Sequence, residues 1–361
     1  CGTEKEIDMK EHTLTKGIVA KGILLFVLPI IVGSLIQQLY VTIDAVVVGQ
    51  FTGKLGLAAI DSVHTLFKFP LNFMNGLASG ATIIISGHCG SKDEKQMHCS
   101  IRTACTVAVI LGVICSVGGV LLTPWMLNVM SVPETVYGRA FAYTCIYFGG
   151  IWSMVLYNMA AGILRAYGDS KRPLYVLICC AVINIVGDLL LVGVLRGGIV
   201  GAASATVISQ MVGGIGPMFY FFNRKNSSLL HFVRPKFSAK ALGKACANGS
   251  SELMTNLSAS LVSALYNLQL MRLIGADGVA AYGVLMYVGF IFAAVFIGYA
   301  QGCAPIISYH YGAVNLAELK NLYKKSMSII LVWGVILFGA AQLLAPVLSK
   351  IFVGYNTGLY A

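Results

Sequence analysis

Nine stretches of this chain run for about 20 residues or more with almost no charge, enough for a helix to cross a hydrocarbon layer of about 30 Å. They are 23–43, 69–91, 103–133, 140–164, 174–195, 197–223, 253–271, 278–317 and 326–349, and Asp188 is the one charged residue that interrupts any of them. Apolar residues make up 57% of the chain and charged residues 11%, against about 45–50% and about 25% in soluble domains. A chain with so little polar surface is suited to lipid rather than water. The expected fold class is therefore an all-α polytopic membrane protein with nine helices.

The formal net charge of +11 would suggest nucleic acid in a soluble protein. Here it sorts by loop instead. The N-terminal tail and the segments following the second, fourth, sixth and eighth spans carry 19 of the 25 Lys and Arg residues, among them Lys92, Lys95, Arg165, Lys171, Arg172, Arg224, Lys225, Lys320 and Lys324. An excess of Lys and Arg marks the cytoplasmic face, which puts the N-terminus inside and makes the charge a topology signal, with no nucleic-acid partner implied. The ten cysteines form no CxxC pair and read as small packing residues.

Residues 53–130 recur at 275–352, displaced by 222 positions without a gap. Gly53, Gly56, Ala58, Ala59, Gly76, Ala78, Gly80, Ile84, Ile85, Ser86, His88 and Gly90 return as Gly275, Gly278, Ala280, Ala281, Gly298, Ala300, Gly302, Ile306, Ile307, Ser308, His310 and Gly312. These are 12 identities in 38 positions, where roughly three would arise by chance. With an even number of spans per copy, the two copies enter the membrane in the same direction and are related by a pseudo-two-fold along the membrane normal. The expected organisation is a cytoplasmic tail at 1–20, a six-helix lobe at 21–223, a cytoplasmic linker at 224–244 and a partial second lobe of three helices at 245–361. Completing the second copy would bring the protein to about 445 residues, so this chain reads as lacking the last three helices. A stop codon directly after Ala361 in the source DNA would refute that.

Ionisable residues within spans are costly and ask for a reason. Extending the helices past their uncharged stretches brings five charged residues into the membrane: Asp44, Asp61, Lys68, Asp188 and Glu252. Gln37, Tyr40 and Asp44 share one helical face. Asn184 and Asp188 are one turn apart, and at 1.5 Å per residue Asp188 lies about 21 Å up from the cytoplasmic end of its span. Thr206 lies roughly 12 Å below the outer surface on the next span, so the depths nearly coincide in a core of about 30 Å. Three spans thus supply two carboxylates, an amide and a hydroxyl at one level. Oxygen donors of this kind suit a hard cation such as Na+, and a carboxyl withdrawn from water holds a proton equally well. The alternative is a pair of protonated carboxyls that merely tie helices together, and for Thr206 a bond to its own helix backbone. Asp61, His64 and Lys68 share a face and form either a relay or an ion-paired cluster near the outer interface. Glu252 shares a stripe with Asn256, Ser263 and Asn267 that would line the second lobe or the cleft between lobes.

These residues resemble the MATE (multidrug and toxic compound extrusion) family. The resemblance is carried by Pro29 with Gln37, Gln38 and Asp44; Leu57, Ala58 and Ala59; Gly76 to Gly80; Leu164, Arg165, Gly168, Asp169 and Pro173; Asn184 with Asp188; Gly201, Ala202 and Ala203 with Thr206; and Gln301, Gly302, Pro305, Ser308, Tyr309 and Gly312. It implies two six-helix lobes around a V-shaped cavity and exchange of Na+ or H+ for organic, often cationic, compounds, with no enzymatic reaction and no cofactor beyond the coupling ion. The resemblance also implies cation ligands at Asp44, Asn184, Asp188 and Thr206, with Tyr40, Tyr143 and Asn158 nearby, and matches Glu252 to an acid used by members that couple through the second lobe. The expected partners are a small organic substrate and the lipid bilayer, the expected state a monomer, and the expected location a bacterial inner membrane. A lipid-linked oligosaccharide flippase of the same broad superfamily is the competing expectation. Its anionic pyrophosphate would call for several Lys or Arg in the lumen, where sequence places only Lys68 against four acids.

Overall fold

The computed structural model describes residues 19–129, 132, 134–222, 237–274 and 276–353. The described residues are helical apart from short turns and contain no strand. The helices are α1 (Val19–Gly90), α2 (Glu94–Val129), α3 (Glu134–Ala166), α4 (Lys171–Asp188), α5 (Gly198–Phe222), α6 (Ala239–Leu273), α7 (Ala276–Gly312) and α8 (Leu316–Val353). Seven spans among the described residues are long and apolar enough to cross a membrane. Two expected spans, 69–91 and 253–271, are not among them. Each is uncharged but diluted by polar side chains: Asn72, Asn75, Ser79, Thr82 and Ser86 in one, Thr255, Asn256, Ser258, Ser260 and Ser263 in the other.

The first two expected helices are one continuous helical run, α1, yet the run folds back on itself. Val27 lies where a Cβ on Gly302 would be, and the Ile83 carbonyl accepts a hydrogen bond from Ser308 Oγ at 2.6 Å. Gly302 and Ser308 are within two turns of each other on α7, whereas straight helix would hold Val27 and Ile83 about 84 Å apart. The arms are therefore antiparallel. Val47 and Val48 of the first arm meet Phe67 of the second in one cluster with Leu127, Phe148 and Ile151.

Glycines set how closely the helices approach. A Cβ on Gly201 would stand 2.8 Å from the Leu191 carbonyl oxygen, and one on Gly187 3.0 Å from Ala205 Cβ. The end of α4 and the start of α5 can therefore cross nearly in contact. Directly after Asp188 the backbone loosens into a π-helical turn, Leu189–Val194. Such turns inside an α-helical run frequently occur at functional sites.

The two lobes meet along a seam at the end that carries the basic loops, and the seam has the symmetry of the repeat. Ser86 Oγ donates to the Pro305 carbonyl at 2.5 Å, and Ser308 Oγ donates to the Ile83 carbonyl at 2.6 Å. Ser86 and Ser308 are repeat equivalents, and so are Ile83 and Pro305. Likewise a Cβ on Gly90 would strike the Tyr309 carbonyl, and one on Gly312 the equivalent Gly87 carbonyl. Gly80 abuts Ala245 and Gly249, and its equivalent Gly302 abuts Val27, which corresponds to Gly249.

The following turn is copied as well, although its residues are not. Lys92 and Val314 both have φ 55°. Asp93 Oδ1 accepts from the Gln96 N–H at 3.0 Å, as Asn315 Oδ1 does from the Glu318 N–H at 3.1 Å. Elsewhere the surface is apolar: Val109, Val113, Val117, Leu121 and Trp125 of α2, and Leu331, Val335 and Phe338 of α8, are exposed, as expected of helices that face lipid.

Candidate functional site

The first lobe holds a buried layer of oxygen atoms. Asn184 and Asp188 are 1% and 0% exposed, and Thr206, on α5, is 8% exposed. Asn184 Nδ2 donates to Thr206 Oγ1 at 3.2 Å, a contact made available by the glycine crossing of α4 and α5. The carboxyl groups of Asp44 and Asp188 lie within hydrogen-bonding reach of each other. Asp44 Oδ1, Asn184 Oδ1 and both carboxyl oxygens of Asp188 are buried without a donor.

Unpartnered buried acceptors are unfavourable, and two like charges at such range repel strongly. The arrangement is relieved by a proton shared between the acids or by a cation held among them. Two carboxylates, an amide carbonyl and a hydroxyl are the hard oxygen donors that Na+ accepts. Among the described residues no group of three or more His, Cys, Asp or Glu is assembled, so the nitrogen- and sulfur-rich sets that transition metals favour do not occur there.

Aromatic rings wall this layer. Phe67 contacts Tyr147 at 4.1 Å and Tyr143 at 6.2 Å between ring centroids, and Tyr143 and Tyr147 stack at 6.1 Å. Tyr40, Tyr143 and Tyr147 all lie in the electrostatic environment of Asp44, and Gln210 is within hydrogen-bonding reach of Tyr147.

Sequence reading did not single out Tyr147 or Gln210. Each is one turn beyond a residue that it did, Tyr143 and Thr206 respectively, so the i, i+4 rule was the available signal.

Two cavities lie inside the bundle, and none of Asp44, Asn184, Asp188 or Thr206 lines either of them. The inner one, about 460 Å³, is lined by Gln37, Tyr40, Tyr157, Asn158, Cys180 and Gln210 among others. The second opens between the lobes with about 910 Å³ of space and shares Gln37, Tyr157 and Asn158 with the first, adding Asn75, Arg165, Glu252 and Gln301. Asn158 Nδ2 donates to Asn75 Oδ1 at 2.9 Å. The shared lining thus joins Tyr40, which lies in the electrostatic environment of Asp44, to the cleft.

Glu252 reaches this cleft from the second lobe, while Asn256, one turn on, is partly buried outside its lining. The side chains of Asp61, His64, Lys68 and Asn267 lie outside the described residues. One expectation is corrected. Arg165 follows the fourth span and was counted with the cytoplasmic basic loops, but it lines the cleft from the last turn of α3. A basic residue beside a turn can point back into the bundle as well as out of it.

Fold and site define an all-α integral membrane protein of two helical lobes with a polar cleft between them. The sequence pattern of the MatE family matches residues 29–190 and 253–360, and the chain belongs to that family.

It is 33% identical over 234 residues to "Probable multidrug resistance protein YpnP" of Bacillus subtilis, covering 65% of this chain and 53% of that protein. It is 23% identical over 331 residues to "Multidrug export protein MepA" of Staphylococcus saprophyticus, covering 91% and 72%. A second Bacillus subtilis relative, YoeA, is matched over 47% of its length, so the chain spans about half of these two Bacillus proteins.

Among solved structures, a MATE in complex with MaL6 superposes with TM-score 0.89 at 22% identity, covering 96% of this chain and 77% of that one. An outward-facing multidrug resistance MATE family transporter of the MOP superfamily gives 0.88 at 23%, covering 94% and 75%. These likenesses establish the fold.

Proposed function

We propose that this chain belongs to a secondary active exporter of small organic compounds, driven by Na+ or H+ entering at Asp44 and Asp188. The observation that carries this reading is the pair of adjacent acids with unpartnered oxygens beside Asn184 and Thr206. A structural acid pair would gain by giving each oxygen a donor, and here three of the four carboxyl oxygens are buried without one.

The relatives named for multidrug resistance and export support an organic cargo. The protein sits in a bacterial inner membrane with its N-terminus in the cytoplasm, works as a monomer, and couples two fluxes without enzymatic chemistry. With the lobes closed along the seam at the basic end, the form described here faces outside. Cation binding removes the repulsion between the acids, and the free energy of that binding biases the lobes toward the opposite opening. Arg165 adds one guanidinium to the cleft, balanced by Glu252. A pyrophosphate-bearing lipid would call for more positive charge than this, which disfavours a flippase.

The test is everted vesicles from cells expressing the protein, loaded with a fluorescent organic cation and given a Na+ pulse or a pH jump. Efflux that responds to one of the two gradients supports the reading. Efflux indifferent to both, or intact in Asp44→Asn, overturns it.

A further inference from the structure

Arg165 is the one guanidinium among the residues that line the interlobe cleft, and its Nε is buried without a hydrogen-bond partner. Arginine stays charged under all ordinary conditions and presents a planar fork of donors matched to carboxylate and phosphate. A buried donor left unpaired is unfavourable, more so when it carries charge. Glu252 faces the same cleft from the other lobe, close enough to act on Arg165 electrostatically, yet it does not satisfy Nε.

The other polar groups of the wall include the neutral, hydrogen-bonding Gln37, Asn75, Asn158 and Gln301. The start of α4 adds Ser170 to the same lining, and Asp169 Oδ1 accepts from the Arg172 N–H there at 3.2 Å, so the helix end is already capped and leaves Arg165 as the positive group of the wall.

We propose that Arg165 is a specificity-determining residue of the cleft, seating an oxyanion of the bound molecule while Glu252 faces that molecule's basic or hydrogen-donating end. The proposal rests on the reading that this cleft holds the cargo, and it names the chemistry: an amphoteric compound is matched at both ends, whereas a simple cation leaves Arg165 unpaired. The oxyanion is a carboxylate of the cargo or a phosphate of a lipid headgroup, which present the same oxygens to the guanidinium.

The experiment uses purified protein in phosphatidylcholine nanodiscs and two rhodamine dyes that differ only in whether the benzoate is free or methyl-esterified, with binding read by fluorescence anisotropy. The free acid is expected to bind about tenfold tighter, the worth of a charge-assisted hydrogen bond. Arg165→Gln should abolish the preference while leaving the ester's affinity in place. Should that variant fail to elute as a single species, Arg165→Lys, a point charge without the fork, is expected to shrink the preference several-fold.

Discs doped with phosphatidylglycerol separate the two sources. Weakened binding of the free acid in wild type but not in Arg165→Gln assigns the oxyanion to lipid, and unchanged binding assigns it to the cargo. Equal affinity for both dyes, binding of neither, or a preference retained without Arg165 overturns the proposal. Because binding is read at equilibrium without a gradient, a failure of coupling in vesicles leaves this result untouched.

Discussion

The seam between the lobes and the acid layer within the first lobe are built on opposite plans. At the seam each contact has a counterpart: Ser86 to Pro305 against Ser308 to Ile83, Gly90 on Tyr309 against Gly312 on Gly87. The acid layer differs at the one position that has a counterpart in this chain. The position equivalent to Asp44 is Tyr266, half-exposed and stacked on Tyr282 at 5.5 Å. Duplication therefore supplied the packing surface on which two lobes close, while at this position the carboxylate stands in one copy and an aromatic ring in the other. Symmetric parts of the molecule should respond to substitution in pairs through stability, and the asymmetric part singly through coupling.

The largest effect belongs to the acids. Asp44→Asn or Asp188→Asn should reduce gradient-driven efflux to background in vesicles, with Tm of the purified protein unchanged or raised, because each substitution removes a costly buried acid. A Tm that falls while efflux persists would reverse the assignment.

Next come the seam glycines. Gly90→Val and its repeat partner Gly312→Val, each set against a backbone carbonyl of the other lobe, should each cost about 3 kcal/mol through overpacking and lower Tm to a similar extent. Gly118→Val, with nothing near its Cβ position, should be neutral. Unequal effects at Gly90 and Gly312 would break the symmetry argument.

The serine latches are smaller. Ser86→Ala and Ser308→Ala should each cost about 0.5–1 kcal/mol, and matched losses of Tm would sharpen the comparison.

Smallest is the copied turn. Val314 is β-branched at φ 55°, where Asn is better tolerated. Val314→Asn should therefore stabilise by about 0.5 kcal/mol, seen as a modest rise in Tm.

The acid layer was legible in the sequence because depth along a helix is arithmetic, and Asp44, Asp188, Asn184 and Thr206 needed only a rise per residue to be placed at one level. The repeat was legible as identity, but identity does not say that equivalent residues touch equivalent partners across the seam. The turn at 91–93 and 313–315 shares geometry without sharing side chains, since a left-handed residue followed by an Asp or Asn cap can be written in more than one way. Arg165 was misplaced because the rule for loop charge counts residues near turns and is blind to side-chain direction. The sequence separates the first arm of α1 from the second as two uncharged stretches, 23–43 and 69–91, yet the helical backbone runs on through the reversal.

The central claim, that the first lobe holds a cation site at Asp44 and Asp188, is tested most directly by ion binding to the purified protein. Na+ is titrated into weakly buffered detergent-solubilised sample while Na+ uptake and proton release are followed together. The account predicts one saturable event, Na+ uptake or its exchange for a proton, that vanishes in both Asp44→Asn and Asp188→Asn and is unchanged in Tyr266→Phe. An event of wild-type size that survives loss of both carboxylates would contradict it.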